Sequence, residues 1–304
     1  MLDRSCSHAA RRYANRIAQC QPHVSAQFDP AGAPRDAHHA RTDEGTDMAK
    51  VSSLERYSDE AGNVIEYEGP AVPVNIVFTG RDNTVRIASD ARIGTLSIQF
   101  DCDNGVASIA SSKGVPAFSA RIRVGQDSRV LIGENVSTTE PVGISATEGT
   151  TVEVGRDTMI AIGVQLRADD GHPIFDVRTE RRVNLSRSIS IGPHVWLATN
   201  ATVLGGVTVG SGAVIGFGSI VTKDVPNNCV AVGNPARVVR RDTAWERPHL
   251  SLVRPFYKPD ASTVPRTAYW ALTEGPAPRP RNVWIRRLRH PRRTLAAAWA
   301  ALTR

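Results

Sequence analysis

Between Ile189 and Val225 the apolar positions of this chain recur every six residues. Counting from Ile191 gives Ile191, Leu197, Val203, Val209, Ile215 and Val221, all aliphatic. Counting from Val195 gives Val195, Ala201, Val207, Ala213, Ser219 and Val225, all small or β-branched. An α-helix repeats its apolar face about every 3.6 residues and a half-buried strand about every 2, so neither a helical face nor a lone hairpin fits. A six-residue step held for six cycles fits a parallel β-helix, in which each hexapeptide is one short flat face and each coil stacks on its predecessor. The aliphatic position points into a narrow core and the small position fits a tight corner. Glycines such as Gly192, Gly210 and Gly216 relieve backbone strain.

Upstream the pattern is weaker. Val74, Ile76 and Phe78 read as a strand, and Gly80-Arg81-Asp82-Asn83 as a turn. The step from Ile87 to Ile93 has hexad spacing, and coils of uneven quality follow at Ile122 to Gly125, Val130 to Val136 and Val152 to Leu166. In the last of these, Val154, Ile160 and Leu166 regain the period. Between them Asp101 to Phe118 reads as a loop or a distorted coil. After Leu166 the step breaks: Arg167 to Ser188 are polar, contain Gly171-His172-Pro173, and rejoin the register at Ile189. A long excursion from a rigid scaffold is where function concentrates.

Three segments follow from this: residues 1–50 as a disordered or over-extended N-terminus, 51–246 as the β-helix, and 247–304 as a Pro- and Arg-rich tail. Residues 1–47 have few aliphatics and no period, and Met48 is a candidate true start. Adjacent His38 and His39 lack partners at metal-ligand spacing. The apolar share of 41% supplies a core, and the aromatic share of only 6% suits a thin interior of Val, Ile, Leu and Ala. A net charge of +7 raises the question of nucleic acid, but residues 275–304 hold eight arginines and no acid, which leaves about −1 elsewhere. The basicity belongs to the tail, where Trp284, Leu288, Leu295, Trp299 and Leu302 recur at mostly helical spacing. That is compatible with weak contact to an anionic membrane surface, and nucleic-acid binding is not expected. Cys6, Cys20, Cys102 and Cys229 form no CxxC or zinc-like spacing, so no metal is expected and Cys229 reads as a small apolar filler. Neither a secretory signal nor a spanning segment is evident, so a cytoplasmic protein is expected, peripheral at most to the inner face of the membrane.

The stretch IGPHVWLATNATVLGGVTVGSGAVIGFGSIVTKDVPNNCVAVGNPARVVR resembles the end of a hexapeptide-repeat acyltransferase, with the likeness spread over about residues 75–246. The resemblance implies an all-β, left-handed parallel β-helix with three faces per turn, a homotrimer, and acetyl-CoA as donor. The handedness comes from the resemblance and runs against the usual right-handed crossover.

Acyl transfer from a thioester to an alcohol needs a base for the hydroxyl proton, a donor for the developing oxyanion, and alignment of both substrates. A neutral imidazole, with an ordinary pKa of about 6.5, can be that base. Asp169-Asp170-Gly171-His172-Pro173 resembles the segment that carries the catalytic histidine in the sugar O-acetyltransferases, which makes His172 the expected general base. Asp169, Asp170 and Asp176 are equal candidates to orient it. Trp196, twenty-four residues on, matches the arrangement in capsular-polysaccharide and sialic-acid O-acetyltransferases, where the indole N–H lies beside the acyl donor. His194, one place before inward Val195, is expected at an interface or on the surface. By the same resemblance Thr199, Phe217, Thr222, Lys223, Arg237 and Arg240 fall where acyl-CoA is contacted, Phe217 standing where a small residue is common. The three cations would face phosphates. The carbonic-anhydrase relatives of the fold are set aside, since the chain has no H-x-x-x-x-H. Galactoside-specific relatives carry an acceptor-binding Asn upstream of the histidine, and Glu140 to Ala146 has none. The expected function is therefore acetyl-CoA-dependent O-acetylation of a sugar or polysaccharide. The alternatives are N-acylation of an amino-sugar nucleotide, acetylation of an antibiotic or small alcohol, and a non-catalytic trimerisation module.

Overall fold

The computed structural model describes residues 48–259 and 261–275. Among them, two eight-stranded sheets and one six-stranded sheet wind around a single core. Each C-terminal coil lays a short strand on each sheet in turn. Gln165–Arg167 lies on the first sheet, Ile189–Ile191 on the second and Trp196–Leu197 on the third, before Thr202–Leu204 returns to the first. Ile191 sits over Val209, Leu197 over Ile215 and Val203 over Val221, so one coil takes 18 residues, or three hexapeptides. All twelve positions of the two six-residue series are at most 5% exposed. The repeat read from the sequence is the coil itself.

The N-terminal coils are larger. Ile76 pairs with Ile98, Val85 with Ala107 and Ile122 with Ile144, each 22 residues on. Their strands are long, eight residues at Ile93–Phe100 and seven at Phe118–Val124, and the third sheet starts only at Ser137–Thr138. The wider interior takes large side chains: Phe78, Phe100 and Phe118 are fully buried, and the first two rings stack at 5.1 Å. Asp101 to Phe118, expected as a loop or distorted coil, contains the strand Val106–Ile109, in register between Thr84–Ile87 and Arg129–Ile132. Four residues of two-residue alternation between polar corners were too short to stand out as a strand.

Coils stack closely at one corner between the second and third sheets. A Cβ built on Gly155, Gly192 or Gly210 would come within 2.8 Å of a main-chain nitrogen of the next coil. At another corner, Asn83 donates to the Asn63 side-chain oxygen from both its main-chain and side-chain nitrogens, and its own Oδ1 accepts from Gly105 N at 2.7 Å. These buried amides satisfy main-chain donors that the turn would otherwise orphan. Antiparallel strands close the stack, Ala49–Leu54 against Val72–Phe78 at one end and Ala236–Arg240 against Val230–Gly233 at the other.

The contacts of this unit continue to Thr273, past the boundary expected at 246; of the second unit only Glu274 and Gly275 are described. Arg247 fixes the returning chain, donating to Asp157 Oδ1 at 2.6 Å, Ser137 Oγ at 2.8 Å and the Asn135 carbonyl at 2.9 Å. The readings made for residues 1–47 and 276–304 lie outside the described residues. Cys229 is buried, as expected of a filler.

Candidate active site

The break after Leu166 is an insertion at the corner between the first and second sheets: Leu166 pairs with Val203, 37 residues on instead of 18. At its root Asp169 is buried, accepting from Ser145 Oγ and from Gly171 N at 3.0 Å, with Arg123 at 3.8 Å. Beyond it the chain makes a hairpin: Phe175 bridges Arg182, Val183 N donates to the Ile174 carbonyl at 2.8 Å, and Asp176 caps the turn through Arg178 N and Thr179 N. Asn184 ties the two arms, accepting from Ile174 N at 2.7 Å and donating to the His172 carbonyl at 2.8 Å and Asp170 at 3.0 Å. Glu148, from the preceding coil, holds the returning arm through Arg182 and the Ser186 hydroxyl, the latter at 2.6 Å. Burial pushes the Glu148 carboxyl up, but the bonds from Arg182 and Ser186 outweigh it and hold the group below its ordinary range. Neither Asn184 nor Glu148 was singled out in the sequence, because both act through pairings that only the fold creates.

His172 is exposed near the start of this hairpin, and its ring makes no hydrogen bond among the described residues. The three aspartates weighed as its orienters are engaged elsewhere: Asp169 with Ser145, Asp170 with Asn184, Asp176 with its own turn. Trp196 is half-buried on the third sheet, between inward Val195 and Leu197, as the count predicted. In a three-sided coil the third face lies opposite the corner from which the loop springs. Within one chain, therefore, His172 and Trp196 are on different sides of the helix.

His194 corrects its sequence reading. It is 1% exposed, and its Nδ1 lies 2.5 Å from Asp157 Oδ2 and its Nε2 3.0 Å from the Trp245 carbonyl. Trp245 stacks on the ring at 4.1 Å and Tyr269 at 4.5 Å. The cover comes from a segment fifty and more residues downstream, so the hexad count, which gave only that His194 lies outside the inward series, could not reveal it. The Trp245 ring also packs 6.0 Å from that of Trp196, tilted by 46°.

The expected donor residues divide into groups. Thr199 and Phe217 stack on one corner between the third and first sheets, where Gly218 N donates to the Thr199 carbonyl at 2.9 Å. Phe217 is 73% exposed. The closing hairpin reaches the same corner through Gly233 N and Ser219 Oγ at 3.1 Å, and Arg237 pairs with Val232 beside it. Thr222 and Lys223 follow Ile220–Val221, exposed at the far edge of the first sheet, and Arg240 pairs with Val230 at the other end of the hairpin. Thr199, Phe217 and Arg237 come together at this corner.

The family described as bacterial transferase hexapeptide (six repeats) matches residues 188–223. The polysialic acid O-acetyltransferase of Escherichia coli O1:K1 / APEC is 45% identical over 121 residues, 40% of this chain and 39% of that protein. The galactoside O-acetyltransferase of Escherichia coli (strain K12) is 40% identical over 90 residues, 30% and 44% of the two chains. This chain thus spans about two fifths of the length of those curated relatives. The crystal structure of a polySia specific acetyltransferase matches with a TM-score of 0.55 at 34% identity, covering 64% of this chain and 90% of that one.

Proposed function

Because the chain belongs to the hexapeptide-repeat acetyltransferase family, we propose that it transfers an acetyl group from acetyl-CoA to a hydroxyl of a sugar or polysaccharide, with His172 as general base. The observation that carries this reading is the insertion itself. An otherwise regular 18-residue coil is interrupted once, to present an exposed histidine on a hairpin pinned by Asp169, Asn184 and Glu148.

His172 takes the proton from the acceptor hydroxyl as its oxygen attacks the thioester carbonyl. The Trp196 indole N–H is a donor only and stabilises the oxyanion of the tetrahedral intermediate. Collapse breaks the carbon–sulfur bond, and the thiolate takes the proton from the imidazolium. No acyl-enzyme forms. Since His172 and Trp196 lie on different sides of one chain, the site is completed by a neighbouring copy in a homotrimer, the loop of one chain meeting Trp196 of the next. Exposed Phe175, Val177, Val183 and Leu185 on the loop support such a contact. Thr199 and Phe217 lie along the pantetheine arm, with Thr222 beside it, and Lys223, Arg237 and Arg240 face the phosphates from the two chains that form the cleft.

The test is His172→Ala with a panel of sugar acceptors. Turnover is expected to fall about 10²–10⁴-fold, the contribution of a positioned base, while assembly mass and circular dichroism stay native. Undiminished turnover removes His172 as the base. Trimer mass with no acetyl transfer to any acceptor returns the chain to a non-catalytic assembly module.

A further inference from the structure

Two carboxylates are buried beside the root of the loop. Asp101, just past the strand Ile93–Phe100, is 6% exposed, and Asp169, two residues past Gln165–Arg167, is 7% exposed. A carboxylate taken out of water needs a partner. The cation that meets both is Arg123: its Nε donates to Asp101 Oδ2, and its Nη1 stands 3.8 Å from Asp169 Oδ1. Register brings the three together. Gln99, Arg123, Ser145 and Arg167 are partners near the C-terminal ends of four successive strands of the first sheet. Gln99 Nε2 donates to Asp101 Oδ1 at 2.8 Å, and Ser145 Oγ donates to Asp169 Oδ2. The far end of this row is loop backbone. Asp169 Oδ1, the oxygen nearest Arg123, also accepts from Gly171 N at 3.0 Å. Gly171 has a φ of 77° and nothing within 4 Å of where a Cβ would lie, so glycine serves there for its left-handed backbone and not for space. The next residue is His172.

We infer that Arg123 is a positioning residue for His172, fixing through Asp169 the turn from which the imidazole projects. The inference rests on the acetyl-transfer reading and extends its machinery to residues of the wider N-terminal coils, where none of the expected site residues lies. Ser145 alone would leave the Asp169 carboxylate free to pivot about one oxygen. The guanidinium near the other oxygen gives it a second point of hold, and that oxygen is the one that grips Gly171 N. Asp101 has the complementary task. The Arg123 side chain is 45% exposed, and its ion pair with a buried acid keeps it from swinging into solvent. A planar guanidinium can meet two carboxylates at once, whereas an ammonium is a single point of charge. A base set wrong by about 1 Å loses up to about 10²-fold in rate, so a small slackening at Asp169 is felt at the imidazole.

The experiment compares the full wild-type chain with R123M, R123K and D101N/R123M. The last removes one acid and one base together, so the cluster keeps its net charge and the variant folds even where R123M, with two unpaired acids, does not. Hydrogen exchange of the main-chain amides reads the loop without any acceptor. In D101N/R123M the amides of Gly171 and His172 are expected to exchange about tenfold faster or more, while those of Phe118–Val124 and Val142–Ala146 keep their protection. Kinetics with acetyl-CoA and the sugar of the acceptor panel used fastest by the wild-type chain should show kcat lowered about tenfold or more and neither KM changed. R123K should fall between R123M and the wild type in both measurements. Adding D169N to D101N/R123M should lower kcat no further than D169N alone, since the residues act through one link. Unchanged exchange at Gly171 and His172 overturns the inference whether or not the chain is active. Equal loosening of the two strands, unchanged kcat, or additive losses with D169N overturn it while leaving acetyl transfer standing. If the wild-type chain acetylates no acceptor yet exchange rises in the loop alone, the acetyl-transfer reading fails and Arg123 still sets the turn before His172.

Discussion

Trp245 and His194 bond each other twice: the indole Nε1 donates to the His194 carbonyl at 2.9 Å, and His194 Nε2 donates to the Trp245 carbonyl at 3.0 Å. The rings stack between these bonds at 4.1 Å. His194 has a left-handed backbone, with φ of 54°, as Asn135 and Asp157 have at the same corner of the preceding coils, with φ of 57° and 60°. Because Trp245 also packs on Trp196, the returning C-terminal segment reaches a residue assigned to the chemistry. Trp245→Ala is expected to cost about 3 kcal/mol of stability, the usual range for a buried aromatic. It is also expected to lower kcat more than it raises either KM. Thermal melts and steady-state kinetics check this; an unchanged kcat in a folded variant uncouples the segment from Trp196.

The same network makes the docking acid-sensitive. Asp157 is half-buried, which raises its pKa, but hydrogen bonds from His194 and Arg247 outweigh burial and hold it below the ordinary 3.8. A carboxylate depressed in the folded state contributes stability that is complete above its unfolded pKa and is lost as pH falls through the folded value. The segment from Thr243 to Thr273 should therefore release below about pH 3.8, starting at the Asp157 contacts. Limited proteolysis with an acid protease across that range reads the release. Asp157→Asn, which removes the titration, should give a loosened segment already at neutral pH and a flatter acid profile.

How much of this was legible depends on distance along the chain. The 18-residue coils are local, each six-residue step turning one corner, so Ile191 to Val225 announce themselves. The 22-residue coils keep the six-residue step only in places, as from Ile87 to Ile93, and their strands stand out best where alternation runs long, as at Val74 to Phe78. The loop was found because it interrupts a period, and His172 within it because Asp169-Asp170-Gly171-His172-Pro173 resembles the segment that carries the histidine in the sugar O-acetyltransferases. The environment of His194 is set by Trp245 and Tyr269, and that of His172 by Asn184, residues joined to them only through folding.

The loop depends on one carboxylate from outside it. Glu148 accepts from Arg182 and Ser186 together, so Glu148→Ala leaves the returning arm of the hairpin without this anchor on the scaffold. The group is partly exposed and solvent screens it, so the stability loss should be small, about 1 kcal/mol. Activity should fall about tenfold or more, since a base displaced by about 1 Å loses much of its advantage. Glu148→Gln, which keeps an acceptor, should recover part of kcat. Equal kcat in the alanine and wild-type proteins would mean that the loop is positioned by other contacts.

Coil stacking sets a stricter limit at Gly192. Its missing Cβ would lie 2.8 Å from Ser211 N and 3.0 Å from the Val209 carbonyl, main-chain atoms of the next coil that cannot rotate away. Gly192→Ala should therefore spread two coils and cost about 1–3 kcal/mol, as overpacked sites do. The contrast is Gly149, with nothing within 4 Å of a Cβ but a left-handed φ of 75°. There alanine should cost about 1–2 kcal/mol through backbone conformation alone. Denaturant melts of the two variants separate the mechanisms. Gly149→Asn should restore most of the loss, since Asn tolerates that backbone, whereas Gly192→Asn should be worse than alanine.

The donor assignment can be tested without knowing the acceptor. If Lys223, Arg237 and Arg240 face the phosphates of acetyl-CoA, each exposed cation contributes to donor binding and little to the chemical step. Replacing Arg237 with alanine should raise the KM of acetyl-CoA about tenfold, the value of a charged hydrogen bond, with kcat nearly unchanged. The effect should shrink as salt is added, because solvent-exposed ion contacts are screened within about 8–10 Å at ordinary ionic strength. Dephospho-CoA thioester as donor provides the internal control. A cation that contacts the 3′-phosphate makes no difference with that donor, so whichever of the three variants loses its KM effect is thereby placed. Should none of them alter the KM of either donor, the cations serve the surface alone, and the donor must enter along Thr199 and Phe217 by main-chain contacts.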